Sequence, residues 1–274
     1  MYRVQVHPWA RAGFGAGAEA YERARPDYPP EAVSWVAEQT GLGPGRTVVD
    51  LGAGTGKLTR LLAATGARVV AVEPLAAMRR LFPSGVAAEV KAGTAEAIPL
   101  PDASADAVTV AEAFHWFRSD EALTEIHRVL RPDASLALLW NRLDLTDAFQ
   151  ATFHALIERN RGHAPVRDTD SWREAIDQTM LFAPLEARTF ENAQQLDAGG
   201  LVDRAASESS IAILPKQRRR RVLAEVRVLA RSRPGPVVLR YVTEVSIYRR
   251  REVRRRSLYR RRPEPSGRES RSTI

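Results

Sequence analysis

The stretch that constrains this chain most is Thr47-Val48-Val49-Asp50-Leu51-Gly52-Ala53-Gly54-Thr55-Gly56-Lys57. Val48 and Val49 form a short β-branched run of the kind a buried strand requires. Asp50 closes the run, and glycine then stands at every second position from Gly52 to Gly56. Leu58, Leu61 and Leu62 follow at helical spacing, which places the glycines in a strand-to-helix turn. Glycine suits such a turn because it takes positive φ at no steric cost and leaves backbone bare for close approach. A doubly wound α/β fold carries a turn of this kind at the mouth of its crevice.

Two phosphate-binding patterns fail on this turn. A P-loop requires Gly-x-x-x-x-Gly-Lys-[Ser/Thr], but counting back from Gly56-Lys57 reaches Leu51, and Leu58 replaces the hydroxyl residue. A dinucleotide turn requires Gly-x-Gly-x-x-Gly, and its third position falls on Lys57 or Thr59. What remains is Asp-x-Gly-x-Gly-x-Gly, which resembles motif I of the class I S-adenosylmethionine-dependent methyltransferases. The resemblance implies a cofactor without phosphate, wrapped through its amino-acid and ribose portions by Gly52, Ala53, Gly54, Thr55 and Gly56. Asp50 is then expected to face the cationic ammonium of the methionine portion.

Arg68 to Glu73 reads as the next strand, ending in a carboxylate 23 residues after Asp50. That matches the spacing of about 20 residues for a ribose-binding acid in this fold class. A carboxylate there accepts both ribose hydroxyl protons and repels a 2′-phosphate; Pro74 follows it in the expected cofactor set. A third strand is expected at Glu89 to Gly93, after a helix at Ala76 to Leu81. The family places the adenine amino group near an acid following this strand. No acid directly follows Gly93, so Thr94 and Ala95, with Glu96 nearby, are assigned that contact.

The fourth strand, Asp106 to Ala111, enters Glu112-Ala113-Phe114-His115-Trp116-Phe117. Ligands in such sheets bind beyond the carboxyl ends of the strands, so this loop is expected to face the reacting methyl group. Ala111 and Glu112 are assigned to the cofactor and Trp116 to the acceptor; Phe114 and Trp116 are candidates for stacking on adenine. His115 is the candidate general base, with an ordinary pKa near 6.5. A hydroxyl or C–H acceptor needs such a base, whereas a carboxylate acceptor does not.

Two further stretches carry the resemblance. Phe14…Tyr21…Arg25-Pro26-x-Tyr28-Pro29 is similar to the N-terminal signature of the methyltransferase type 11 and trans-aconitate methyltransferase-like subgroup. It implies a lid whose Tyr21, Arg25 and Tyr28 meet the substrate, Arg25 pairing with an acceptor carboxylate. The stretch from Glu125 to Trp140 resembles the family's Glu-x-x-Arg-Val-Leu-x-Pro-x-Gly turn, with Ala134 in the glycine position. Leu123, Ile126, His127 and Leu130 mark a helix that Arg131-Pro132-Asp133 stops, and Ser135 to Asn141 reads as the fifth strand.

The expected fold is a Rossmann-like doubly wound α/β domain over residues 1–248, with a mostly parallel seven-stranded sheet and an antiparallel edge strand. Residues 1–17 read as aperiodic, within a mobile lid at 1–30. A helix opens at Pro29-Pro30-Glu31 and ends at Gly41. Residues 146–182 read as a helical insert after the fifth strand. Leu185 to Phe190 and Val237 to Ile247 read as a final strand pair, joined through a basic helix from Pro215 to Ala230.

The net charge of +8 is uneven: residues 216–274 hold 20 Lys/Arg against 5 Glu, which leaves −7 for residues 1–215. Residues 249–274 carry three Arg triplets and read as a disordered tail. With no cysteine there is no disulfide or thiolate metal site. His7, His127, His154 and His163 lack metal-ligand spacing, Asp168 and Asp170 stand isolated, and no Ser-His-Asp constellation sits on a strained turn. The chain has no apolar run of 18 residues and no basic-then-apolar leader, so a cytoplasmic protein without a membrane partner is expected.

The function so implied is methyl transfer from S-adenosylmethionine to an oxygen, nitrogen or carbon of a small acceptor, by a monomer or homodimer. Its rivals are an RNA methyltransferase docking through the Arg-rich tail, a non-catalytic cofactor-binding protein of the same fold, and an NAD-dependent oxidoreductase.

Overall fold

The computed structural model describes residues 6–162 and 171–252. Its centre is a seven-stranded sheet in the order β3-β2-β1-β4-β5-β7-β6. The strands are β1 (Thr47–Leu51), β2 (Arg68–Val72), β3 (Ala88–Lys91), β4 (Ala105–Ala111), β5 (Leu130–Leu143), β6 (Phe182–Leu196) and β7 (Val237–Arg250). The first five are parallel; β7 runs antiparallel between β5 and β6 and completes the edge. The chain leaves β1 for β2 and β3, then returns to β4 on the other side. This reversal opens a crevice at the carboxyl ends of β1 and β4.

Both sheet faces are covered, so β1, β2 and β4 are mainly apolar, with Asp50, Asp106 and Thr109 the buried polar exceptions. Alternation divides them: Val49, Leu51, Val70, Val72 and Val108 pack with α5 (Ser119–Val129), through Leu123 and Ile126. Val48, Val69 and Ala107 face the opposite layer, α2 (Pro30–Thr40) and α3 (Lys57–Ala63). The short α4 (Ala76–Arg79) follows β2. A separate apolar cluster joins α6 (Ala148–Glu158), α8 (Ala198–Ala206) and α10 (Lys216–Arg231) to the far end of β7. The remaining helices are α1 (Pro8–Ala24), α7 (Ser171–Gln178) and α9 (Ser209–Ala212). Among the described residues no helix is long and apolar enough to cross a membrane.

Several boundaries differ from the sequence expectation. The stretch read as aperiodic, 1–17, supplies much of the helix α1, whose contact side is built from Gly13, Gly17, Ala18 and Ala20 rather than large apolar residues. A Cβ on Gly13 would lie 2.5 Å from the Ser209 Cβ, so glycine there sets how closely α1 meets α9. The final strands run far past Leu185 to Phe190 because β6 is held by its backbone pairing to β7, while most of its side chains stay outside the core. Arg249 and Arg250, assigned to the tail, are the last residues of β7. Residues 253–274 of that tail, and His163, Asp168 and Asp170, lie outside the described residues.

Candidate active site

The turn after β1 is tied to its neighbour strand, since Gly52 N–H and Ala53 N–H donate to the Val72 carbonyl at 2.8 and 3.2 Å. Gly56, at φ +88°, caps α3, and a Cβ there would meet the Phe82 ring at 2.6 Å. Gly54, at φ +60°, has nothing nearer to its absent Cβ than the Tyr21 ring at 3.8 Å. Its backbone therefore lies open to whatever occupies the crevice.

The Gly54 N–H donates to Glu73 Oε2 at 3.0 Å, and the Leu75 N–H donates to Oε1 at 2.8 Å. The two amides fix the carboxylate at the tip of β2, facing the cavity. Burial pushes the Glu73 carboxyl up to about 7, against the pull of those two amides and Arg79. Asp50 behaves differently from the expectation. Alternation along β1 turns it to the Val48 side, toward α3, where Thr59 Oγ1 donates to Oδ2 at 2.5 Å and Thr109 Oγ1 lies 3.4 Å from Oδ1. Asp50 is 1% exposed and does not line the cavity, so it braces the turn from beneath. Burial raises its carboxyl to about 6, with the hydroxyls opposing.

Two cavities meet at this crevice. The first encloses about 720 Å³, mouth included, and is lined by Gly52, Gly54, Glu73, Pro74, Thr94, Ala95, Glu96, Ala111 and Glu112. The second encloses about 1020 Å³ and runs past Arg25, Tyr28, His115 and Asn141 to α6. Phe14, Tyr21, Glu112 and Trp116 line both and form their common wall. Ala53, Thr55 and Gly56, assigned to the cofactor, are in the turn but do not line either cavity.

His115 sits in a 3-10 turn, Phe114–Trp116, its ring 4.6 Å from that of Trp116 and 5.5 Å from that of Trp140. Phe114 is 1% exposed and belongs to the core beneath, not to a stacking surface. Glu112 takes φ +54°, a strained setting for a non-glycine residue, and Oε1 accepts the Asn141 N–H at 2.5 Å. Tyr28 is buried, and burial first, then the Glu112 carboxylate, pushes its hydroxyl well above the usual range. Arg25 makes an ion pair with Glu208 at 2.7 Å and donates to Ser207 Oγ at 3.0 Å. Its guanidinium thus fastens α1 to α8 and α9 as well as lining the second cavity.

Sequence reading missed the far wall of the second cavity: Phe153, His154, Ile157 and Arg161 from α6 and its end, with Arg204 and Tyr241. These come from elements distant in sequence, and no motif marks them. His7 and Met78 of the first cavity were missed for the same reason.

A family described as a methyltransferase domain matches residues 49–138. An uncharacterized methyltransferase of Mycobacterium tuberculosis is 39% identical over 226 residues, covering 81% of this chain and 87% of that protein. The chain belongs to the class I S-adenosylmethionine-dependent methyltransferases. Another methyltransferase relative, an uncharacterized protein of Schizosaccharomyces pombe, is 35% identical over 219 residues, covering 78% of this chain and 85% of that one. The solved structure of a candidate type II methyltransferase from Anaeromyxobacter dehalogenans shares the methyltransferase fold. It superposes with TM-score 0.61 at 27% identity, over 82% of this chain and 97% of that chain. Among the described residues no cluster of His, Asp or Glu could hold a metal ion.

The cavity fits the family's nucleoside. The open Gly54 backbone gives room for close approach, and the amide-fixed Glu73 carboxylate supplies two acceptor oxygens at the cavity wall. The raised carboxyls also predict a pH dependence. A carboxyl raised in the folded state stabilises the fold when protonated, and loses that contribution as pH rises through its folded value. For Asp50 the loss runs through about 6, and for Glu73 through about 7. Carboxyls held low by a partner, such as Glu125 by Arg128, have finished titrating below this window. Burial of His127 lowers its imidazole and acts in the opposite sense below about 6.5. Glu73 is therefore read from a difference: the melting temperature of ligand-free wild type is expected to fall relative to that of Glu73→Gln as pH rises through about 7. A curve for the variant that overlays the wild type would refute the Glu73 assignment.

Proposed function

We propose that this methyltransferase moves the methyl group of S-adenosylmethionine to an oxygen, nitrogen or carbon of a small molecule held in the second cavity, releasing S-adenosylhomocysteine. The observation that carries the reading is the common wall: a donor in the first cavity and an acceptor in the second would meet at Glu112 and Trp116. The cofactor would supply a methyl on a positively charged sulfonium, already activated for in-line displacement. Glu73 would accept hydrogen bonds from the two ribose hydroxyls, in a cavity that Gly54 and Pro74 also line. Glu96 lies with Thr94 and Ala95 at the cavity wall assigned to adenine. Asp50 is a positioning residue that holds the turn to α3 through Thr59.

For the acceptor, the chain supplies position more than chemistry. The Trp116, Tyr21 and Phe14 rings shape the passage between the cavities and exclude water from it. Phe14 stands edge-on to both Tyr21 and Trp116, at 5.7 Å from each, so the three rings act as one wall. His115 takes the proton released by a hydroxyl or C–H acceptor, and would do the same for an amine. The assay is transfer of tritium from methyl-labelled S-adenosylmethionine to a panel of small alcohols, amines, carboxylic acids and carbon acids. Transfer to at least one class is expected. For an alcohol or amine acceptor, His115→Ala should lower kcat by about 10²–10⁴-fold, the usual share of general base catalysis. For a carboxylate acceptor kcat should hold. Cofactor binding with no transfer to any small acceptor would defeat the proposal in favour of the non-catalytic or RNA-directed rivals.

A further inference from the structure

We infer that α10 is a docking face for an anionic phospholipid surface. The helix sequence Lys216-Gln-Arg-Arg-Arg-Arg-Val-Leu-Ala-Glu-Val-Arg-Val-Leu-Ala-Arg231 holds seven cations and one acid. At 100° per residue, Lys216, Arg220, Arg227 and Arg231 fall within about 60° of arc and extend over about 22 Å. All four are exposed. The helix's one acid, Glu225, is paired with Arg159 from the end of α6, and among the described residues no ion pair engages the four.

The arrangement is costly for the helix alone. Its first turn carries Lys216, Arg218 and Arg219 and no acid, although the helix dipole favours negative charge at that end. Neighbouring cations along the stripe also repel one another. A stripe of this kind gains stability from an external polyanion rather than from the fold.

The apolar surface beside it selects the class of polyanion. Val228 lies on the solvent side of α10, next to the stripe, and is 71% exposed. It borders a shallow groove between α6 and α10 formed with Ala155, Leu156 and Leu229. Single-stranded nucleic acids are held by a positively charged groove together with aromatic stacking. Among the described residues, no large apolar side chain left exposed is aromatic. Aliphatic side chains beside basic ones match the headgroup boundary of a bilayer, where a helix lies in the plane without spanning it. The lack of a spanning helix is no objection to this contact. The −7 charge of residues 1–215 disfavours their own contact with an anionic surface and leaves the basic C-terminal portion, α10 included, as the side that faces it. On the opposite side of α6 lie Phe153 and Ile157, which line the second cavity. Docking would bring the acceptor cavity to within one helix of the bilayer.

The test is co-sedimentation of the full chain with phosphatidylcholine vesicles, with and without one quarter phosphatidylglycerol, at 50 and 300 mM NaCl. Binding to the mixed vesicles only, weakened at high salt, is expected. The variant carrying Lys216→Gln, Arg220→Gln, Arg227→Gln and Arg231→Gln should bind at least tenfold more weakly, since each cation near such a surface contributes about fivefold. The four positions are exposed and outside the binding cavities, so circular dichroism and S-adenosylhomocysteine binding should match wild type. If the fourfold variant fails to fold, the pair Arg220→Gln and Arg227→Gln gives the same reading at lower amplitude. Neutralising Arg254, Arg255, Arg256, Arg260, Arg261 and Arg262 instead should leave most of the binding. The inference is overturned if the tail variant alone abolishes binding, if the stripe variants bind as wild type, or if the vesicles are not bound. Tighter binding to a 20-nucleotide RNA than to the mixed vesicles would also overturn it.

Discussion

Glu73→Gln is expected to weaken S-adenosylhomocysteine binding by about 10²–10⁴-fold in isothermal titration at pH 8. Hydrogen bonds to a charged group contribute about 1.5–3 kcal/mol each, and two ribose hydroxyls would share this carboxylate. About 3–6 kcal/mol is thus at stake, with each 1.4 kcal/mol worth tenfold. Glutamine keeps the size but loses the charge, and its amide NH2 must face either the Gly54 N–H or the Leu75 N–H, both donors. Asp50→Asn probes a different position. It leaves the cavity wall unchanged and loosens the Thr59 bond beneath the turn, so a smaller loss is expected. A change below fivefold for Glu73→Gln would remove the ribose role from this residue.

Phe114→Ala should cost about 3–5 kcal/mol of stability in urea unfolding, the range for a large ring deleted from a packed core. The ring is 1% exposed, lies 5.7 Å from Phe117, and shares a cluster with Leu123, Ile126 and Trp140. It anchors the turn on which His115 and Trp116 are mounted. Activity should therefore fall together with stability, even though Phe114 lines neither cavity. A loss under 1 kcal/mol would mean that the site collapses around the gap and that this turn is not fastened from below.

What the sequence made legible follows from how strongly local chemistry was constrained. β1 and its turn were readable because a strand buried on both faces is mostly apolar, its one acid being held by hydroxyls, and the turn that follows must be small. Glu73 was placed at the cavity wall by its position at a strand end and its spacing from the glycine turn. Asp50 was placed in the cavity from the family pattern, yet strand alternation already set it on the side of Val48 and α3. α1 escaped because its packing side is Gly and Ala, which carry no apolar periodicity, and α8 opens on Ala-Gly-Gly for a comparable reason. β6 was read at Leu185 to Phe190, but its full length escaped, because an edge strand with exposed side chains is held by backbone pairing. The second cavity was the least legible: its walls come from α1, α6, α8 and β7, which only the folded chain brings together.

The position of the cofactor is decisive, and a crystal structure with S-adenosylhomocysteine measures it directly. The ribose hydroxyls are expected within 3.2 Å of the Glu73 oxygens, a hydrogen-bond distance, with the sulfur directed at the wall of Glu112 and Trp116. Density for the nucleoside in the second cavity, or a ribose held away from Glu73, would contradict that placement.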